Sequence, residues 1–498
     1  MNLIRQKLVT LRNRARDLQT TLRRWAMYDG SVSREMQEDL LLRLTPAEQS
    51  SFDSDLELTK NRLRPVSVQL HTVMRWYDYV LERVNEQFER ARSLLDQGRH
   101  QECLNVLNDV ERRWLNPNEE TLGFVFKSLA QHTSHEHHNK MASLDTIVRD
   151  LYLPTVKLVH ERGLVSKEIM ALTPLAYLAD GPEASYTWRQ HAQNANNFGR
   201  RLPLSMMAVP RNCIAQPWNL VAVAHEVGAH IYADLDLAWE IVNKLQTESV
   251  SAGVSSQSAP LWAQWHGTLF ADIFGTLKLG PAYVGGMIEL LGTDVRSAVA
   301  LDPSAPMPPP YIRWHIMLQT LHLLGFEDQA RELSNQIVLL CGEPNQLAQQ
   351  CGPAWLTLLN ECRSIAGIVA FSPCQKLGGV RIMDVAQPFL AAEMQTAVRV
   401  KELLQSGDES CSSDDGFAWT QSLGDVNVTM PVALAGLRLA FECAPDFEAS
   451  QRMWVRYWCL LQHLAGSSDS TREREDREFA PADATLKTLA EESVPALA

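Results

Sequence analysis

A short apolar stretch of the chain carries three side chains that could act together on one ligand. It runs from Val221 to Ile231 and reads V-A-V-A-H-E-V-G-A-H-I, with His225, Glu226 and His230 as its polar residues. Imidazole nitrogens bind transition metals, and a carboxylate beside a metal-bound water can take a proton from that water. These residue types therefore predict a metal centre with Glu226 as a general base.

The spacing of the two histidines decides whether they can share an ion. Residues four apart lie on the same side of an α-helix, but His230 follows His225 by five residues. A regular helix would therefore turn the two imidazoles about 140° apart. A one-residue π-bulge would bring them together, and Gly228 lies in the interval where it could form. The alternative is a lost second ligand, because Ala229 stands four residues after His225.

The motif resembles the H-E-x-x-H signature of zincin metallopeptidases, and its longer spacing is similar to the H-E-x-x-x-H of dipeptidyl peptidase III. The resemblance covers at most residues 200–315. It implies a zinc cofactor bound by His225 and His230, and hydrolysis of peptide bonds by a zinc-bound water with Glu226 as the general base.

The helix predicted downstream is where a zincin carries its third ligand. The segment from Leu261 to Tyr283 is apolar with helical spacing. Gluzincins, the type that thermolysin represents, have E-x-x-x-D there: the Glu binds zinc and the Asp orients the first His. Alignment on Asp272 places Thr268 at the Glu, and the acidic pair of dipeptidyl peptidase III falls on Gly267 and Thr268. This chain therefore lacks the acidic ligand of both families at the same place.

Asp272 is the preferred third metal ligand. The alternative is that Asp272 is a hydrogen-bonded acid behind the site or a surface charge. His266 lies about 120° from Asp272 on a regular helix, so the two are not expected to bind one ion together. An exposed or interfacial position is the simpler interpretation of His266.

Three further polar residues, Tyr283, Tyr311 and Arg313, are expected near the site. The resemblance implies that a Tyr, His or Arg from this side stabilises the oxyanion that forms when a carbonyl is attacked. Tyr311 and Arg313 are the candidates for this role. The alternative is that these two side chains only pack in the core.

The rest of the chain predicts a mostly α-helical protein of two to four domains, since 498 residues exceed one core. Helical periodicity over 1–150 predicts an N-terminal bundle, and 151–325 is the zincin-like domain with a small β-sheet. Residues 326–466 are predicted to be helical again. The charged segment 467–498 is predicted to be a disordered tail.

Two shorter segments carry their own expectations. The stretch from Pro203 to Pro210 is apolar and bounded by prolines, which predicts a short strand just before the H-E helix. Such a strand could pair with an extended peptide, although an extended linker fits equally. The segment from Gln131 to Asn139 contains four histidines and is predicted to be a solvated linker rather than a metal site.

Composition narrows the partners. A net charge of -13 and a pI near 5.6 argue against a nucleic-acid or anionic-membrane binder and leave small or basic partners possible. The resemblance to zincins implies a peptide or protein as substrate or partner. No long apolar run occurs, so no integral membrane segment is predicted. Nine cysteines without C-x-x-C spacing and the lack of a signal-peptide pattern predict a cytoplasmic protein.

Two functions are consistent with these residues. The first is a zinc-dependent metallopeptidase, supported by the retained His225-Glu226 pair, because buried charges cost several kcal/mol unless they are satisfied. The second is a catalytically inactive pseudo-metallopeptidase that serves as a helical protein-interaction scaffold. The two departures from the motifs, at Ala229 and Thr268, favour the second.

Overall fold

The computed structural model describes residues 2–28, 63, 66–134, 136–164, 173–179, 204–292, 294–406, 428–444, 446–466 and 483–492. Most of these residues lie in helices, and the strands form two sheets of two strands each. The prediction of a mostly α-helical protein is confirmed. Within the described ranges, no helix is both long enough and apolar enough to cross a lipid bilayer.

The N-terminal helices enclose one hydrophobic core. They are α1 (Asn2–Tyr28), α2 (Ser67–Asp96), α3 (His100–Asp109), a π-helical turn (Val110–Leu115) and α4 (Asn116–Thr133). Apolar residues of α2 recur every three or four positions, as an amphipathic helix requires, and bury Trp76, Tyr77 and Phe88. Gly98, with φ of +74°, makes the tight turn that reverses the chain between α2 and α3.

A second, larger core is formed by the helices that follow. They are α5 (His138–Glu161), α6 (Asn212–Ala215), α7 (Val223–Asp234), α8 (Ala238–Thr247), α9 (Ala259–Gln264), α10 (His266–Leu279), α11 (Pro281–Leu291), α12 (Val295–Val299), α13 (Pro310–Leu324), α14 (Glu327–Cys341), α15 (Pro344–Cys351), α16 (Pro353–Ala366), α17 (Ile382–Ala386), α18 (Ala391–Ser406), α19 (Met430–Glu442) and α20 (Phe447–Gly466). Residues from both the 151–325 and the 326–466 regions contribute to this one cluster.

Several short elements connect these helices. A 3-10 turn (Pro217–Ala222) leads into α7, and a π-helical turn (Gly367–Phe371) follows α16. The small antiparallel pair of β3 (Pro373–Cys374) and β4 (Val380–Arg381) encloses a 3-10 turn (Gln375–Leu377).

A parallel pair of strands lies between the two cores. It consists of β1 (Leu175–Ala179) and β2 (Met206–Pro210), with Leu175 opposite Met206, and β2 lies within the stretch predicted as a strand. Side chains alternate between the faces of a strand, so each strand contributes to both cores. Leu175, Tyr177, Met206 and Ala208 belong to the N-terminal core, and Ala176, Leu178, Met207 and Val209 belong to the larger one.

The outer edge of β1 is bonded by side chains rather than by another strand. The amide of Gln131 accepts from the Leu178 N–H at 2.7 Å and donates to the Leu178 carbonyl at 3.0 Å. Asp145 accepts from the Ala176 N–H at 3.0 Å. Three of the backbone groups that a further strand would use here are therefore already paired.

The histidine-rich segment from Gln131 to Asn139 departs from the predicted solvated linker at its first residues. Its first residues belong to α4, and His132 is 2% exposed. The His132 Nδ1 lies 2.8 Å from the carbonyl of Ser128, and its Nε2 lies 2.8 Å from the Asp145 carboxylate. The prediction failed because the acid that satisfies this histidine lies on the next helix, α5.

The C-terminal region corrects a second expectation. Residues 483–492, within the segment predicted to be disordered, form the helix α21 (Asp483–Glu492), which packs against α2. Leu486, Leu489 and Ala490 are buried there and belong to the N-terminal core. Their spacing of three and four residues gives α21 an apolar face, which the neighbouring charges concealed in the sequence.

Candidate functional site

The helices α7 and α10 pack closely and carry most of the candidate residues. Gly228 on α7 lies against α10: a Cβ at this position would be 3.1 Å from the Cα of Ala271 and 3.0 Å from the Cβ of Phe274. The absence of a side chain at Gly228 therefore allows the two backbones to approach. This contact accounts for a glycine within an otherwise apolar helical stretch.

The π-bulge that would bring the two histidines together is not formed. The helix α7 is α-helical from Val223 to Asp234, including Gly228. Five residues along a regular helix correspond to a rotation of about 140°, so His225 and His230 point to different sides of α7. His230 is buried, with 2% of its surface exposed. The structure does not place it with His225.

Asp272 on α10 is the centre of a network that joins four helices. Its carboxylate is fully buried and lies 2.9 Å from Nδ1 of His225 on α7. Arg313 on α13 donates twice to it, from Nε to Oδ2 at 2.7 Å and from Nη2 to Oδ1 at 2.8 Å. The hydroxyl of Tyr283 on α11 donates to Oδ1 at 3.1 Å. The two bonds from Arg313 have the bidentate geometry that a planar guanidinium favours.

The charges of this network balance within the protein. Burial alone would raise the pKa of the Asp272 carboxyl, but the charges and hydrogen bonds of Arg313 and His225 outweigh it and hold that pKa well below its ordinary value. Asp272 is therefore ionised, and the buried Arg313 neutralises it. Burial raises the pKa of the Tyr283 phenol well above its ordinary value, so Tyr283 remains a donor.

The same network fixes how His225 is presented. Because an ionised carboxylate accepts from Nδ1, the proton of a neutral His225 resides on Nδ1 and the lone pair on Nε2. The side chain of His225 is 19% exposed. The Nε2 atom is thus available as a base or as a ligand for a bound molecule.

Glu226 is an acid of this region that accepts no hydrogen bond from a described residue. It is partly buried, and within the described ranges no donor forms a hydrogen bond or an ion pair with its carboxyl group. Burial raises the pKa of the Glu226 carboxyl, and the charge of Asp272 acts in the same direction, while His225 and Arg313 oppose this rise.

The other sequence candidates lie outside this network. Tyr311 on α13 packs its ring against His315 and Trp355, with ring centroids 4.6 Å and 4.8 Å apart, and its hydroxyl has no hydrogen-bond partner among the described residues. His266 is the first residue of α10, and its Nδ1 lies 2.5 Å from the hydroxyl of Tyr232. Burial lowers the pKa of His266.

The described residues do not assemble the donor set that a zinc ion needs. A zinc centre requires three or four converging ligands, and no group of three or more His, Cys, Asp or Glu side chains in the described part of the chain could hold a metal ion. The Asp272 oxygens are engaged by Arg313, His225 and Tyr283. The arrangement of these residues therefore does not fit the zinc centre that the resemblance implies.

The partner of Arg313 was not predicted from the sequence. It was expected to face a reacting carbonyl, and the structure pairs it with Asp272, 41 residues earlier in the chain. An acid inside an apolar helix was the available signal, because such an acid requires a buried cation or several donors.

Comparisons with known proteins found no match. No protein-family model, no curated protein and no solved structure matches the chain.

Proposed function

We propose that this protein is a catalytically inactive pseudo-metallopeptidase whose helical framework serves as a protein-interaction scaffold. The observation that carries the proposal is the closed network around Asp272. Arg313 supplies the positive charge there, and Arg313, His225 and Tyr283 together engage both oxygens of the carboxylate. Such a network can stabilise the junction of α7, α10, α11 and α13 with Arg313 in the place of a metal ion.

The two positions that depart from the peptidase motifs support this proposal. Ala229 lies one helical turn after His225, and Thr268 lies one turn before Asp272, on two helices that pack against each other. A methyl group has no ligand atom, and a neutral hydroxyl is a weak substitute for a carboxylate on zinc. The chain has thus kept the residues that join the helices and lacks those that would bind the ion.

A peptidase is the second candidate, and Glu226 is the observation that favours it. A partly buried acid without a protein donor is costly to keep unless it meets a ligand. Together with the Nε2 atom of His225, it forms a polar pair that a peptide could contact. In this second function Glu226 accepts a proton during hydrolysis.

Metal analysis of the purified protein separates the two candidates. We expect far less than one zinc per chain in the wild type, in His225→Ala and in Glu226→Gln, and the same unfolding midpoint with and without a chelator. Casein hydrolysis should be equal in wild type and Glu226→Gln. One zinc per chain that is lost only in His225→Ala, together with hydrolysis lost in Glu226→Gln, would refute the scaffold.

A further inference from the structure

The short helix α21 belongs to a different core from the helix that precedes it among the described residues. Its buried residues Leu486, Leu489 and Ala490 are part of the N-terminal core, whereas buried residues of α20 are part of the larger core. Residues 467–482 separate the two helices along the chain. Because a segment of this length can reach about 50 Å when extended, α21 can leave its position without any movement of α20.

The surface beneath α21 is provided by α2, against which α1 and α3 also pack. Leu486 is fully buried there, and Leu489 and Ala490 are 5% and 1% exposed. Between the two leucines, Lys487 places its Nζ 5.0 Å from the ring centroid of Tyr79 on α2. An apolar strip and an aromatic ring that attracts a cation therefore define what this surface accepts. We call the part of α2 that these four residues of α21 cover the α21 site.

The attachment of α21 is weak compared with that of the helix beneath it. α21 has 10 residues, and an isolated helix shorter than about 12–15 residues is marginal in water, so its helical form depends on α2. Three apolar side chains must offset the conformational entropy of the whole segment. By contrast, α2 buries 16 of its 30 residues. A segment held by few apolar contacts opens while the rest of the protein stays folded.

We propose that the α21 site binds an amphipathic helix of a partner protein, and that α21 occupies the site until such a helix displaces it. This inference rests on the proposed scaffold function and names its interaction surface. α21 itself shows the chemistry of the occupant: two leucines three residues apart, a small residue after the second, and a basic residue between them. Grooves that accept amphipathic helices recognise anchors with this spacing.

Binding of a free α21 peptide to the full-length chain tests this proposal. The probe is a fluorescein-labelled peptide of residues 480–494, followed by fluorescence anisotropy. Leu486→Asp with Leu489→Asp removes the apolar face of the α21 in the chain and leaves the site open. Since a tethered segment competes at an effective concentration in the mM range, this variant should bind the peptide at least tenfold more tightly than the wild type. Equal affinities, or no binding to the folded variant, would overturn the proposal.

The matched control is Ala484→Asp with Thr488→Asp, which adds the same two charges at exposed positions of α21. This variant should bind the peptide as weakly as the wild type does. A peptide that itself carries Leu486→Asp and Leu489→Asp should not bind to the open variant. Binding of that altered peptide with unchanged affinity would show that the leucines do not direct the contact, and would overturn the proposal.

Hydrogen exchange on the wild type tests the opening of α21 even where the leucine variant does not fold. The backbone amides of α21 should exchange at least a hundredfold faster than those of the buried residues of α2, and faster still with excess unlabelled peptide. Equal protection of the two helices would overturn the proposal. A wild-type dimer that forms with rising concentration in light scattering would assign the site to the α21 of a second copy, and so overturn the assignment to another protein.

Failure of this inference can be distinguished from failure of the proposed function. Zinc content and casein hydrolysis test the scaffold without involving α21. A zinc-free, inactive chain whose open variant binds no peptide would remove the α21 site and leave the scaffold in place. Zinc-dependent hydrolysis would remove the scaffold, and with it the partner role given to this site.

Discussion

The Nδ1 atom of His225 lies 2.9 Å from an Asp272 oxygen that Arg313 also contacts, so the histidine of the peptidase-like motif is tied to a buried ion pair. In a zincin this acid would only orient the histidine. Here it also neutralises an arginine inside the core. This relationship gives Asp272 a structural role, so variants of Asp272 should lose stability.

Removing either partner of the Asp272–Arg313 pair should strongly destabilise the protein. Asp272→Asn leaves a buried guanidinium without its counter-charge, and Arg313→Met leaves a buried carboxylate, so each should cost about 3–5 kcal/mol in the free energy of unfolding. Urea titration followed by circular dichroism measures this. The double variant Asp272→Leu with Arg313→Met should cost less than the sum of the single changes. Single losses below about 1 kcal/mol would contradict the role given to the pair.

Glu226→Gln should stabilise the protein at neutral pH. The pKa of the Glu226 carboxyl is raised in the folded state, so folding favours the protonated form, and its ionisation lowers stability as the pH rises above the unfolded value of about 4.3. Glutamine resembles the protonated acid and avoids this cost. Thermal unfolding midpoints at pH 4 and pH 7.5 should therefore differ less in the variant than in the wild type.

The control for Glu226→Gln is Glu248→Gln, which changes an exposed acid and no network residue. It should leave the pH profile of unfolding unchanged. A Glu226→Gln variant that is less stable than wild type at pH 7.5 would show that the carboxylate is held by favourable contacts.

Adding two ligands at the motif positions should create a zinc site if α7 and α10 have the zincin arrangement. Ala229→His adds an imidazole one turn after His225, and Thr268→Glu adds a carboxylate one turn before Asp272. The double variant should bind about one zinc per chain and gain stability when zinc is added. Adding His225→Ala should abolish both effects. A folded double variant with no more zinc than wild type would indicate that the helix pair only resembles a zincin in sequence.

Gly275→Ala should disturb the network through Tyr283. A Cβ on Gly275 would collide with the Tyr283 ring, and this ring carries the hydroxyl that donates to Asp272. The overlap should cost roughly 1–3 kcal/mol in the free energy of unfolding, because a packed core cannot absorb the added volume. Gly267→Ala on the same helix meets no atom within 4 Å and should instead stabilise by about 0.5–1 kcal/mol. Equal effects of the two changes would contradict this account.

Local patterns in the sequence indicated a good part of this structure. The apolar spacing of α2 and the proline-bounded strand β2 are visible in the sequence, because both patterns involve neighbouring residues. The partner of a buried ionisable side chain cannot be predicted from such local patterns. Asp272 and Arg313 are 41 residues apart, and only the packing of α10 against α13 brings them together.

The same limit explains the residues that sequence reasoning misplaced. His132 lies in a polar, histidine-rich tract, and its burial depends on Asp145 in the following helix. Leu486 and Leu489 lie among charged residues, and they become a helix face only because α2 offers a surface to cover. In each case the burial depends on a contact between different helices, which a local sequence pattern does not predict.

The position of the β1–β2 pair has a consequence for how the chain unfolds. Each face of this pair belongs to a different core, so loss of either core would expose a row of apolar side chains on the strands that remain. Unfolding of one core therefore removes apolar contacts from the strands that the other core needs. We therefore infer that disruption of one core by heat or denaturant also lowers the stability of the other.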